Sequence, residues 1–142
     1  MVMEANEVMT SELQTVDPDA SLQTAAQIMR EYDIGVLPVI TSEGRAVGML
    51  TDRDITVRGV AHGRPPGDSK VRDAMTTHIE FCYVDDDVEQ LAHHMGEKKL
   101  HRIVVVNRES KGIRGIVSLC DLAARGDRKQ MVGSVLAKCA SA

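Results

Sequence analysis

Gly48-Met49-Leu50-Thr51-Asp52-Arg53-Asp54 returns later in the chain as Gly115-Ile116-Val117-Ser118-Leu119-Cys120-Asp121. Each stretch reads glycine, two apolar residues, a hydroxyl residue, two further positions and an aspartate. Upstream, EVMT ending at Thr10 matches DAMT ending at Thr76, so Met9 pairs with Met75, 66 residues on. The same offset sets Leu22, Ala25, Ala26 and Met29 against Val88, Leu91, Ala92 and Met95. It then carries Ile34 to Ile40 onto Leu100 to Val106, after which one extra turn residue makes the offset 67. A register kept from Met9 to Asp54 with a single insertion marks a duplication, and the repeat governs every later reading.

Both copies have the same internal order. The four apolar positions from Leu22 to Met29, and from Val88 to Met95, fall at i, i+3, i+4 and i+7, one face of an amphipathic helix. Asp19 or Ser21 can cap the first helix, and Asp86 or Asp87 the second. A β-branched run follows (Val36 to Ile40; Ile103 to Val106), then a polar turn and a second short strand (Ala46 to Leu50; Ile113 to Val117), which together read as a hairpin. A short helix opens at Thr51 or Ser118. Preceding strands near Thr15-Val16 and from Phe81 to Val84 complete a β-α-β-β-α unit of the α/β (α+β) class. The copies occupy residues 7–56 and 71–125, with residues 57–70, containing Pro65-Pro66-Gly67, as a linker without regular structure. Gly126-Asp127 precedes a C-terminal helix and tail over residues 127–142, with Met131 or Val132, Val135, Leu136 and Cys139 along one face. That face can pack on the body or on a partner chain. A unit of about 55 residues buries too little surface to stand alone, so two copies are expected to pack about a pseudo-twofold axis.

Composition narrows the function classes. A net charge of −4 and only three aromatic residues, Tyr32, Phe81 and Tyr83, argue against a nucleic-acid binder, which needs clustered cations or stacking rings. Cys82, Cys120 and Cys139 form neither an even disulfide framework nor a metal pair, which fits a reducing, cytoplasmic compartment. The N-terminus has no basic region followed by an apolar run, and no stretch approaches the roughly 20 apolar residues of a membrane span.

The repeated heptapeptide has two readings. In one, Thr51 or Ser118 caps a helix and the acid three residues on reaches back to the cap's N–H, a capping box. In the other, the same helix start offers free N–H groups and a hydroxyl to a phosphate, while Asp54 or Asp121 accepts from the hydroxyls of a ribose. A carboxylate has lone pairs enough for both.

IGVLPVI and GMLTDRDI in the first copy, with HRIVVV and GIVSLCDL in the second, resemble the cystathionine-β-synthase (CBS) domain family. The whole chain resembles a stand-alone tandem pair, a Bateman module, over roughly Glu7 to Ala123, and its last helix is similar to the C-terminal extension of small bacterial proteins of this type. The resemblance implies a regulatory, non-enzymatic module. It would bind AMP, ADP, ATP, S-adenosylmethionine or NAD in a cleft between the repeats, need no resident cofactor and signal to an unidentified regulated protein. It further implies a homodimer. By motif position, Asp54 and Asp121 would hold ribose hydroxyls, Thr51 and Ser118 phosphate, and His101-Arg102 further phosphates. Backbone groups near Val36-Leu37 and Arg102-Ile103 would border the base.

The copies also differ. Gly35-Val36 stands where the second copy has His101-Arg102, Val104 replaces the proline matched by Pro38, and Cys120 replaces Arg53. Two unequally cationic sites are therefore expected. His93 and His94 are adjacent on a helix, diverge by about 100° and cannot face one metal, so they read as a solvated face. Cys82 reads as a core strand residue, Asp85-Asp86-Asp87 as a helix start, and no catalytic motif is present. The competing classes are a ligand-independent dimerisation scaffold, in which the motifs only cap helices, and a small enzyme or redox sensor using Cys120.

Overall fold

The computed structural model describes residues 2–126 and 128–140. Asp127, ahead of the last helix, and the tail end at Ser141 and Ala142 lie outside the described residues, as does Met1. In chain order the elements are α1 (Ala5–Val8), α2 (Leu22–Tyr32), β1 (Val36–Ile40), β2 (Ala46–Thr51), α3 (Asp52–Asp54), α4 (Val71–Ala74) and β3 (Phe81–Tyr83). Then come α5 (Val88–Lys98), β4 (Arg102–Val106), β5 (Ile113–Ser118), α6 (Leu119–Ala124) and α7 (Lys129–Ala140). The chain has the expected α+β character.

Contacts divide it into two compact units. The first is Leu13–Ile79; the second joins the residues up to Glu12 with those from Glu80 on. In the first, β1 and β2 form an antiparallel hairpin. Its core gathers Leu22, Ala25 and Met29 from α2, Leu37, Val39 and Leu50 from the strands, and Val71 and Ala74 from α4. In the second, β3 runs parallel to β4, and β4 pairs antiparallel with β5. Val88, Leu91, Ala92 and Met95 of α5 pack there with Ile103, Val105 and Val117, and with Ala5, Val8, Val132 and Val135.

Local chemistry accounts for these elements. Ser21 Oγ accepts from Thr24 N at 3.0 Å and Asp87 Oδ1 from Glu89 N at 2.8 Å, capping α2 and α5. The inserted residue lies in the hairpin turn, which spans 41–45 in the first unit and 107–112 in the second. The strand expected at Thr15-Val16 shrinks to one parallel bridge, Val16 with Val39. Pro18 closely follows, and its ring removes the donor a longer ladder would need. The position matching Pro18 is Val84, whose N donates to Val106 O at 3.2 Å, and there the strand forms. Helical geometry also continues beyond α3, as a wide turn at Ile55–Gly59 and a tight one at Val60–His62, into the stretch read as linker.

Ala26 is exposed, although its counterpart Ala92 is buried. The difference lies in α7, which packs on α5 and α6. A Cβ at Gly96 would come within 3.2 Å of Lys138 and 3.7 Å of Val135. The first copy has Arg30 at that position, a side chain too large to admit a helix so closely.

The units are permuted relative to the sequence repeat. Thr76 N donates to Met49 O at 2.8 Å and Met49 N to Thr76 O at 2.9 Å, so the DAMT segment borders the first copy's hairpin. In the same way, Thr10 N donates to Ile116 O at 2.8 Å and Ile116 N to Thr10 O at 3.0 Å, so EVMT borders the second copy's hairpin. The partners correspond one for one: Val71 N with Ala20 O and Arg72 N with Pro18 O, against Ala5 N with Asp86 O and Asn6 N with Val84 O.

Candidate ligand site

Each hairpin delivers its second strand into a capping box. Thr51 Oγ1 accepts from Asp54 N at 3.0 Å, and Thr51 N donates to Asp54 Oδ2 at 3.0 Å. Ser118 Oγ accepts from Asp121 N at 3.1 Å, and Ser118 N donates to Asp121 Oδ2 at 2.9 Å. The half-buried carboxylates keep a second oxygen for other partners. Asp54 Oδ1 lies 4.0 Å from Arg58 Nε, and Asp121 Oδ1 lies 3.3 Å from the Thr10 hydroxyl, which donates to it.

What surrounds the caps differs between the units. In both, the residue after the cap donates to a carbonyl at the start of the hairpin: Asp52 N to Gly35 O at 3.0 Å, and Leu119 N to His101 O at 3.1 Å. In the first unit the Asp52 carboxylate lies over Gly35, where a Cβ would meet Asp52 Oδ2 at 3.0 Å. Two carboxylates thus stand near the cap, and no side chain at position 35 opposes them. In the second unit Leu119 is buried, and the exposed His101 and Arg102 take the place of Gly35 and Val36.

The structure brings three of the expected residues together. His101, Arg102 and Ser118 line one pocket of about 260 Å³ with Leu119, Cys120 and Ala123 of α6 and Val132 and Leu136 of α7. Among the described residues the His101 and Arg102 side chains make no hydrogen bond or ion pair. Asp121 does not line this pocket; its carboxylate is engaged with Ser118 and Thr10. Leu37 and Ile103 are core side chains, leaving only their backbone to a ligand. Val36 opposes Thr51 across the first hairpin. Thr10, Arg58 and the α7 side chains escaped the motif reading. Thr10 and Thr76 recur at one offset and Arg58 and Arg125 at the other, which could have flagged the first two. Arg125 Nη1 donates to Met9 O at 2.8 Å, as Arg58 Nη1 does to Met75 O at 3.3 Å.

The three thiols differ in reach. Burial, and then the nearby Asp86 carboxylate, push the Cys82 thiol up to about 12. Cys120 is exposed at the pocket and Cys139 is half-buried. Iodoacetamide at neutral pH is therefore expected to alkylate Cys120 first and to leave Cys82 unmodified in the folded chain, as read by mass spectrometry of tryptic peptides. Early labelling of Cys82 would contradict its core placement. His93 and His94 sit 3.6 Å from Glu97 and 3.4 Å from Glu80. No group of three or more His, Cys, Asp or Glu suited to a metal occurs among the described residues. Nor is any helix among them long and apolar enough to cross a membrane.

The CBS-domain family model matches residues 5–58 and 71–126. The CBS domain-containing protein YhcV of Bacillus subtilis is 33% identical over 130 residues, covering 92% of this chain and 90% of that protein. Among solved structures, the CBS domain protein TA0289 of Thermoplasma acidophilum superposes with a TM-score of 0.83 at 29% identity, over 97% of this chain and 76% of that one. The CBS domain pair of protein MJ0100, crystallised with 5′-methylthioadenosine and S-adenosyl-L-methionine, has a TM-score of 0.77 at 22% identity, over 91% and 99%, a likeness of fold. Twice-matched motifs, paired capping boxes and near full-length similarity have one meaning: the chain belongs to the CBS-domain family and carries the domain in tandem.

Proposed function

We propose that this chain is a regulatory module that binds an adenine mononucleotide at the end of the β4–β5 hairpin and passes the change to a partner protein. The observation that carries this reading is the gathering of His101, Arg102 and Ser118 on one pocket, with the His101 and Arg102 side chains unpaired among the described residues. An exposed guanidinium with an imidazole beside it, above an apolar floor, suits an anion attached to a ring. CBS domain pairs are regulatory ligand-binding modules, and the ligands held by the MJ0100 pair contain adenosine. Charge and size select among the candidates. S-adenosylmethionine carries a sulfonium cation, which Arg102 opposes. NAD is a dinucleotide, and an open pocket of about 260 Å³ favours the smaller mononucleotides, AMP before ATP. By charge, AMP, ADP and ATP suit the site best.

In this reading His101 and Arg102 hold phosphate and Ser118 contacts phosphate, while Asp121, which does not line the pocket, gives up its Thr10 contact to take ribose hydroxyls. The base borders the Arg102-Ile103 backbone. Thr51, Asp54 and the backbone at Val36-Leu37 form the first unit's weaker equivalent, since Asp52 adds negative charge there. The working unit is a homodimer whose ligand shifts a population of conformers. One observation favours the scaffold alternative: both hydroxyls and both carboxylates already complete capping boxes without a ligand.

A thermal-unfolding panel of AMP, ADP, ATP, S-adenosylmethionine and NAD tests the choice. A true ligand at 100 times its Kd adds about 2.7 kcal/mol of stability. Arg102→Ala is expected to weaken the best binder at least tenfold, and Asp121→Asn, which keeps a cap acceptor, to weaken it less. An unchanged midpoint with every compound at millimolar concentration would leave the scaffold reading standing.

A further inference from the structure

The last helix bears on this site in a way that neither the duplicated motif nor the family match accounts for. Val132 and Leu136 of α7 line the same pocket as His101, Arg102 and Ser118, facing Leu119 and Ala123 of α6. Val132 is 7% exposed and joins the core, whereas Leu136 is 45% exposed, a large apolar side chain left half in water on the pocket that His101 and Arg102 line. Val135, one position before Leu136, is buried in the second unit's core, so the helix that carries Leu136 is anchored there. Gly96 admits that helix to α5, and the first copy, with Arg30 there, has no corresponding helix among the described residues.

We propose that α7 forms the base-binding wall of the second-unit site: Leu136 and Val132 take one face of the ligand's ring while its phosphates meet Arg102 and His101. The inference rests on the nucleotide reading and adds to it a specificity element and a route for the signal. Covering Leu136 removes apolar surface from water only when ring and helix are both in place, so ligand binding and α7 docking strengthen each other. The helix is thereby the part of the chain whose order reports occupancy. It also gives the second unit a wall that the first lacks, which makes the expected stoichiometry one tightly bound nucleotide per chain.

Calorimetric titration of the full chain with ADP, paired with amide hydrogen exchange, tests this. In the wild type, ADP is expected to slow exchange across Lys129–Ala140. Leu136→Ser, at a position already half in solvent, is expected to weaken ADP roughly tenfold while leaving the melting point of the free chain unchanged. Ala137→Ser, on the same helix but away from the pocket, is expected to bind as the wild type does. ADP binding without slowed exchange in α7, or with Leu136→Ser unaffected, would overturn the wall. Absence of ADP binding to the wild type would instead bring down the nucleotide reading, and the wall with it.

Discussion

Replacing Gly115 with alanine is expected to destabilise the second unit by about 2 kcal/mol and lower its melting point by roughly 10 °C. A Cβ at this position would fall 2.7 Å from Thr10 O and 2.7 Å from Met9 Sδ. The thioether can swing aside, because methionine is flexible. The carbonyl cannot: it accepts from Ile116 N at 3.0 Å while Thr10 N donates to Ile116 O at 2.8 Å. Relieving the clash therefore opens a pair of backbone hydrogen bonds, and the added methyl gains no compensating burial. Gly48→Ala is expected to do the same to the first unit, where a Cβ would meet Thr76 O at 2.7 Å and Met75 Sδ at 2.9 Å. Valine at either position adds branches to the same collision and should cost more. Thermal unfolding, with exchange of the Ile116 and Met49 amides as local probes, checks both. A melting point equal to the parent's would mean that the MT segment is not held where the structure places it.

This also accounts for the motif's first residue. Glycine opens both heptapeptides, inside the strands expected at Ala46 to Leu50 and Ile113 to Val117, and the sequence alone gives no reason for its size. In the structure, Gly48 and Gly115 are strand residues with no left-handed backbone requirement, kept small by a neighbouring chain segment.

What could be read in advance was whatever depends on neighbours in sequence. The helix faces from Leu22 to Met29 and from Val88 to Met95, the caps at Ser21 and Asp87, the hairpins, and the Thr51 and Ser118 capping boxes all involve residues within a few positions of each other. Ala26 was misplaced because its environment is set by a helix far along the chain, present beside Ala92 and not beside Ala26. The strand at Val16 was over-read because the pattern of Thr15 and Val16 was weighed without the proline that soon follows. The pocket was half legible. His101, Arg102 and Ser118 stand within the duplicated pattern, whereas Val132 and Leu136 come from outside it, where no second copy exists for comparison. The exchange of the MT segments could not be read at all. A duplicated sequence contains two equivalent partners for every segment, and nothing local to Met9 or Met75 distinguishes its own copy's hairpin from the other's.

That ambiguity leads to the largest effect expected here. Removing residues through Glu12 should destabilise the second unit more than the first, although the deleted segment lies directly ahead of the first copy. Ala5 and Val8 are 0% exposed and sit in the core with Val88, Leu91 and Leu122. The backbone is tied as well: Ala5 N donates to Asp86 O at 2.9 Å, Asn6 N to Val84 O at 3.0 Å and Val88 N to Met3 O at 2.9 Å. Losing two buried side chains and the cavity they leave, with these bonds and the Thr10–Ile116 pair, costs on the order of 5 kcal/mol, comparable to the whole stability of a small domain. Two point variants of the full chain make the same comparison more sharply. Val8→Asp buries a charge in the second unit, while Ala74→Asp, at the matching position and 1% exposed, buries one in the first. Hydrogen exchange should show protection lost more in β4 and β5 than in β1 and β2 for Val8→Asp, and the reverse for Ala74→Asp. If each variant instead loosened the hairpin of its own sequence copy, the permuted packing would be wrong. The close approach invoked for Gly48 and Gly115 would then lose its cause.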